Sequence, residues 1–193
     1  MDAQPQTRIG MPMDEFIRQY EAAPFELIDG ERIPLMPPVA EHGEVIRILL
    51  ETLFGYKQLH PNIVVYTEMP VVLEDTPNWV KGSRVPDLMI YDKARLDDYK
   101  QRVPDWKEKP FILIPDVCVE VISANDNYLD VDDKVEGYLN DGVRLVLVIN
   151  PRRKSIAVHT SAGIVRLTEA DMLEGGEVLP DFKVAVAAIF NQP

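Results

Sequence analysis

Between Pro115 and Ser123 the chain reads Pro-Asp-Val-Cys-Val-Glu-Val-Ile-Ser. Residues 117–122 form an apolar, largely β-branched run, the signature of a strand buried on both faces. Glu120 stands in the middle of it. An ionised carboxylate left unpaired there costs far more than the strand's packing can offset, so it requires a cation, a proton or a metal beside it. Further on, Val131, Lys134, Val135 and Tyr138 recur at i, i+3, i+4 and i+7, a single helical stripe. That spacing turns Lys134 toward the buried side of the helix that follows the strand. A strand carboxylate and a helix lysine, both directed inward, mark the place to look for a site.

The flanking segments build outward from that unit. Strand 117–122, a helix over about 131–140 and a strand over 143–149 make a crossover, which sets the two strands parallel or near neighbours. Residues 123–127 read as its loop, and Asp141-Gly142 closes its helix. Upstream, 13–21 is a short amphipathic helix with Phe16, Ile17 and Tyr20 inward. Residues 25–28 and 31–36 flank Asp29-Gly30 as a hairpin, whose second strand Pro34 assigns to a sheet edge. The clearest helix spans 41–55, with Val45, Ile48, Leu49, Thr52 and Leu53 as its stripe and His42 and Glu44 in its first turn. Residues 62–67 and 69–73 read as strands and 74–82 as a polar loop. Residues 84–91 read as one strand with Val85, Asp87, Met89 and Tyr91 on one face. The charged stretch 92–110 reads as a surface loop or short helix. A hairpin over 155–159 and 164–167 and an apolar segment at 184–190 complete the chain.

At 193 residues the chain fits a single domain, 1–193, behind a flexible lead at 1–12. No apolar run approaches the ~20 residues of a membrane span, and the N-terminus lacks the basic and apolar regions of a secretory leader. A lone cysteine, Cys118, excludes an internal disulfide framework, so a cytoplasmic protein is expected with Cys118 as a core residue. The net charge of −12 argues against tight nonspecific DNA binding by the isolated chain, because the phosphate backbone favours a basic surface. The field that matters is local, so a nucleic-acid partner stays open.

Asp87, directly after Pro86, is the second strand carboxylate. If its strand pairs with that of Glu120, both carboxylates meet at one end of a sheet. Two carboxylates, a backbone carbonyl such as that of Val121, and water suit a hard divalent cation, Mg²⁺ or Mn²⁺. A neighbouring lysine can then orient an attacking water or stabilise charge developing on a phosphate. Plainer readings stand beside these. Asp after Pro is common turn chemistry, Lys134 can snorkel, and Glu120 with Lys134 can be a purely structural ion pair. Glu26 lies in a hairpin, where a solvated face is the plain reading, and His42 reads as a surface histidine. His60 and His159 stand apart, which leaves no zinc cluster.

Pro86-Asp87 followed by Glu120-Val121-Ile122 resembles the PD-(D/E)XK nuclease superfamily, with Ile122 where that motif has its lysine. A longer ordered set is similar to one branch, the Uma-two family of restriction-endonuclease-like proteins, in which the lysine has moved to the next helix. The matching pieces are Phe25-Glu26-Leu27-Ile28-Asp29-Gly30, His42, Arg84-Val85-Pro86-Asp87, Val119-Glu120-Val121-Ile122-Ser123, Lys134 with Tyr138, Gly142-Val143 and Leu179-Pro180-Asp181-Phe182. Asn150 and Asp181 depart from the family's habit, both outside the proposed metal site. The resemblance implies an α/β fold: a restriction-endonuclease-like core of mixed sheet flanked by helices, with extra β-hairpins. It also implies Mg²⁺- or Mn²⁺-dependent hydrolysis of nucleic-acid phosphodiesters, most directly DNA, by a homodimer. Asp87, Glu120 and the Val121 carbonyl would bind the metal, and Lys134 would be the migrated catalytic lysine. Glu26 would be a further metal-shell carboxylate and His42 a phosphate contact or proton shuttle. The competing expectation is a catalytically silent nuclease fold kept as a binding or assembly module, which the acidic balance favours.

Overall fold

The computed structural model describes residues 8–123 and 128–190. Residues 1–7 of the expected lead and 124–127 of the expected loop lie outside the described residues. In chain order the elements are β1 (Met11–Pro12), α1 (Met13–Ala22), β2 (Phe25–Ile28), β3 (Glu31–Pro34), α2 (Ala40–Leu59), β4 (Ile63–Thr67), β5 (Val71–Thr76), β6 (Trp79–Arg84), β7 (Leu88–Asp92) and α3 (Lys93–Arg102). They continue with β8 (Val117–Val121), α4 (Tyr128–Asp141), β9 (Leu145–Asn150), β10 (Ser155–Thr160), β11 (Gly163–Leu167), β12 (Met172–Glu174), β13 (Lys183–Ala185) and α5 (Val186–Phe190). They gather into two compact units. One is drawn from Met1–Met36, Met69–Val85 and Val103–Leu113, the other from Pro37–Glu68, Pro86–Arg102 and Ile114–Pro193.

The first unit holds a five-stranded antiparallel sheet in the order β1-β6-β2-β3, with β5 also on β6. Its hairpin turns at Asp29 and Gly30, both at positive φ as a two-residue hairpin turn requires. Pro34 lies on the edge strand, where its missing N–H breaks no ladder. Phe16 of α1 meets Phe25 of β2 edge-to-face, with ring centroids 5.2 Å apart, over a core of Leu27, Val72 and Val80. Two expectations change here. Residues 74–82 are not a polar loop: β5 runs on to Thr76, turns through Asn78 and returns as β6. Only alternate residues of such a hairpin need be apolar, and in β6 Val80 is fully buried beside a half-buried Trp79 and ahead of polar residues. Met11 and Pro12, placed in the lead by the sequence, pair with Val80 and Trp79.

The second unit is built on a six-stranded mixed sheet in the order β11-β10-β9-β8-β7-β4. β8 and β9 run parallel, as the crossover requires, and every other pair is antiparallel. All six residues of β9 are buried. Val117, Val119 and Val121 of β8 join Val45, Leu49 and Leu53 of α2 and Val186 and Ile189 of α5 in one cluster. Cys118, from the alternate positions, packs with Val146 and Val148 of β9 and with Val135 and Tyr138 of α4. Helices on both faces explain why β8 and β9 read as nearly continuous apolar runs.

The expected strand over 84–91 is divided: Arg84 ends β6, and β7 begins only at Leu88. Pro86 lacks the N–H that an uninterrupted ladder needs. Residues 93–102 form a helix, capped by Asp92, whose Oδ1 accepts the Arg95 N–H at 3.0 Å. Helix α4 closes as expected on Gly142, at φ 104, in a paired-bond motif. Gly142 N–H donates to the Leu139 carbonyl at 3.1 Å, and Val143 N–H donates to the Tyr138 carbonyl at 3.0 Å. At the start of β8, the buried Asp116 accepts the Asp92 N–H at 2.8 Å and pairs with Arg95, fastening α3 to the sheet.

Candidate active site

β7 and β8 pair antiparallel with Leu88 opposite Val119. One step further along the same register sets Asp87 opposite Glu120, at the end of the ladder. The Asp87 side chain there continues what the strand has stopped doing. Its Oδ2 accepts the Val121 N–H at 2.7 Å, while its carbonyl accepts the Glu68 N–H at 3.3 Å. The same Oδ2 lies 3.1 Å from Nε2 of His42, in the first turn of α2. His42 is not a surface histidine; its side chain is 8% exposed. The hydrogen bond to Asp87 raises its pKa above the usual imidazole range, burial opposes this, and the charges of Asp87, Glu68 and Glu120 add to the rise. Among the described residues, its Nδ1 has no hydrogen-bond partner.

Glu120 projects from the face of β8 that carries Cys118, toward α4, and both of its oxygens are engaged from that helix. The Tyr138 hydroxyl donates to Oε1 at 2.6 Å, and the Lys134 ammonium lies 3.0 Å from Oε2. The side chains of Lys134 and Glu120 are only 20% and 13% exposed. The cost of a carboxylate in this strand is therefore offset by one cation and one neutral donor, presented one helical turn apart. Val121, the next residue, is 4% exposed, and its N–H is the group that links β8 to Asp87.

Asp87, Glu120, Lys134 and His42 thus belong to one unit, His42 in contact with Asp87 and Lys134 in contact with Glu120. Glu26 belongs to the other unit. It is 4% exposed, so the solvated-face reading fails, and its Oε1 accepts the Val85 N–H at 2.7 Å. Sequence reasoning placed Tyr138 on the helical stripe but assigned it no role of its own. The available signal was that a tyrosine turned into a core brings a hydroxyl that must find a partner.

Among the described residues, no group of three or more His, Cys, Asp or Glu side chains could hold a metal ion. Carboxylates such as those of Asp87 and Glu120 are donors of the kind Mg²⁺ takes, since that ion keeps several waters and uses one or two carboxylates plus substrate phosphates rather than a dedicated all-protein cage.

A mixed sheet with helices packed on both faces defines a protein of the restriction-endonuclease-like α/β class. Residues 13–187 match the family model Uma2, described as "Putative restriction endonuclease", and the chain belongs to that family. In fold it is similar to a crystal structure from Anabaena variabilis ATCC 29413, described as "a putative nuclease belonging to DUF820". The TM-score is 0.75 at 16% sequence identity, covering 93% of this chain and 97% of that one. No curated protein matches the sequence. Among the described residues, no helix is long and apolar enough to cross a membrane.

Proposed function

We propose that the chain is a metal-dependent endonuclease hydrolysing nucleic-acid phosphodiesters, DNA in the first instance. Asp87 and Glu120 hold Mg²⁺ or Mn²⁺, with the Val121 carbonyl beside them, and Lys134 acts as the catalytic lysine. The observation that supports the reading most is that Asp87, just before β7, takes the Val121 N–H beside Glu120 at 2.7 Å, while the Lys134 ammonium lies 3.0 Å from Glu120. When bound, such an ion supplies a polarised phosphoryl oxygen and an acidified water.

The remaining work falls to the chain. The Val121 N–H holds Asp87 Oδ2, which directs that carboxylate along the end of the sheet. Lys134 brings a positive charge to a largely buried carboxylate, where it can hold a water or meet charge developing on the scissile phosphate. His42 keeps a proton at Nε2 facing Asp87 and serves as a phosphate contact or proton shuttle. A cytoplasmic homodimer completes the reading, on the family resemblance.

Nicking of supercoiled plasmid with Mg²⁺ or Mn²⁺, against an EDTA control, tests it. Cleavage is expected only with the metal, and Asp87→Ala, Glu120→Ala and Lys134→Ala should each abolish it. Undiminished cleavage by Lys134→Ala would refute the lysine assignment. The second reading, a silent nuclease fold used for binding or assembly, is favoured by the net charge of −12 and by the engagement of both Glu120 oxygens within the protein. Calorimetric titration with Mn²⁺ separates the two, since no binding at millimolar metal would select the silent module.

A further inference from the structure

Resting on the assignment of Glu120 to the metal, we infer that Tyr138 is a positioning residue: its hydroxyl fixes the rotation of the Glu120 carboxylate and so sets where the metal-binding oxygens stand. A glutamate side chain has three torsions between its backbone and its carboxylate. Tyr138 restricts them from outside the strand. The 2.6 Å contact is in the short range of hydroxyl-to-carboxylate bonds.

Tyr138 can impose a position because it is itself held at both ends. Its ring is 2% exposed and packed among Cys118, Val135, Val146 and Val148. Its carbonyl accepts the Val143 N–H in the closure of α4 at Gly142. Lys134, one turn earlier, sits on a flexible four-carbon stem and delivers charge rather than a fixed direction. The two residues therefore divide Glu120 between them: Tyr138 locates Oε1, and Lys134 balances charge at Oε2. A hydroxyl that merely satisfied itself on the nearest acceptor would matter to folding and not to metal. Groups that orient a ligating carboxylate are worth about 10- to 100-fold in metal affinity.

Tyr138→Phe keeps the ring and its packing and removes only the donor. The experiment is calorimetric Mn²⁺ titration of the wild type and Tyr138→Phe without DNA, followed by plasmid nicking kinetics. The inference expects Mn²⁺ affinity at least about 10-fold weaker, kcat lowered, KM for DNA unchanged and unfolding still cooperative. Equal Mn²⁺ affinities in two folded proteins, with wild-type cleavage intact, overturn the inference alone. A wild type that binds no Mn²⁺ overturns the metal reading and the inference with it. Should Tyr138→Phe not fold, 3-fluorotyrosine placed at position 138 supplies a second readout. Its fluorine resonance should move on adding Mg²⁺, and a resonance unmoved at saturating Mg²⁺ counts against the inference.

Discussion

Breaking the Glu120–Lys134 pair one side at a time should cost more stability than removing both charges together. At 3.0 Å, two unit charges attract by about 5 kcal/mol at an effective dielectric near 20. Removing both from water costs a comparable several kcal/mol, so the net worth of the pair is small. Removing one partner is different, because it leaves the other charge in a setting that is 13% or 20% exposed. A fully buried orphan charge costs about 3–5 kcal/mol. The residual water access here lowers the expectation to about 2–3 kcal/mol for Lys134→Met. Glu120→Gln keeps an acceptor for the Tyr138 hydroxyl and should cost about as much. The double variant Glu120→Gln/Lys134→Met removes both charges and should return to within about 1 kcal/mol of wild type, a coupling of about 3 kcal/mol or more. Urea unfolding in EDTA, with m values compared across the four proteins, measures it. All three variants should lose cleavage, so stability and activity would separate in the double variant. Strictly additive losses would refute the view that these charges compensate each other.

Two further outcomes follow from the geometry. A Cβ added at Gly175 would lie 2.4 Å from Leu179 Cβ and 2.5 Å from the Leu179 carbonyl, with backbone on one side and core on the other. Gly175→Ala should therefore cost about 2–3 kcal/mol in urea unfolding, and a neutral effect would show that the loop yields freely. The raised pKa of His42 sets a sign for pH. A group with a higher folded than unfolded pKa stabilises fully below its unfolded value, near 6.5, and loses that contribution as pH rises through the folded value. In EDTA, the stability lost on His42→Asn should be larger at pH 6 than at pH 9, and a difference that grows with pH contradicts the assignment.

What could be read from the sequence was whatever rests on strong periodicity or on a misplaced charge. β8 and β9 announced themselves because both faces are covered, and α2 and α4 because their stripes recur over several turns. β6 was hidden because its apolar residues, Trp79 and Val80, are adjacent rather than alternating and Gly82 looks like a loop residue. That glycine lies in a strand where a Cβ would meet the Leu27 carbonyl at 3.2 Å. α3 was obscured because only Leu96 and Tyr99 of its ten residues are buried. Glu120 and Lys134 were visible as charges in apolar company. The His42 contact with Asp87 was not, because it depends on how the first turn of α2 meets the entry to β7, and no local pattern encodes that. Tyr138 fell between these cases: its stripe was legible, but the target of its hydroxyl was not.

Ile122 where a lysine is expected makes physical sense once α4 is in place. Residues 120 and 122 share a face of β8, and α4 packs over that face, with the partly buried Ile122 against the cluster of Cys118, Val135 and Tyr138. A lysine on the strand at 122 and one on the helix at 134 would therefore serve the same region from opposite sides of a single packing interface. From the helix position the ammonium reaches Oε2 at 3.0 Å with its side chain only 20% exposed. If the two positions are equivalent, Ile122→Lys in a Lys134→Met background should restore part of the lost cleavage. It should do so at a stability cost of about 1–3 kcal/mol for placing a charge against that cluster. Plasmid nicking by the folded double variant measures the first effect and urea unfolding the second. A folded double variant with no regained cleavage would show that α4 supplies more than a charge, namely the placement that the rigid stripe of Lys134 and Tyr138 gives it.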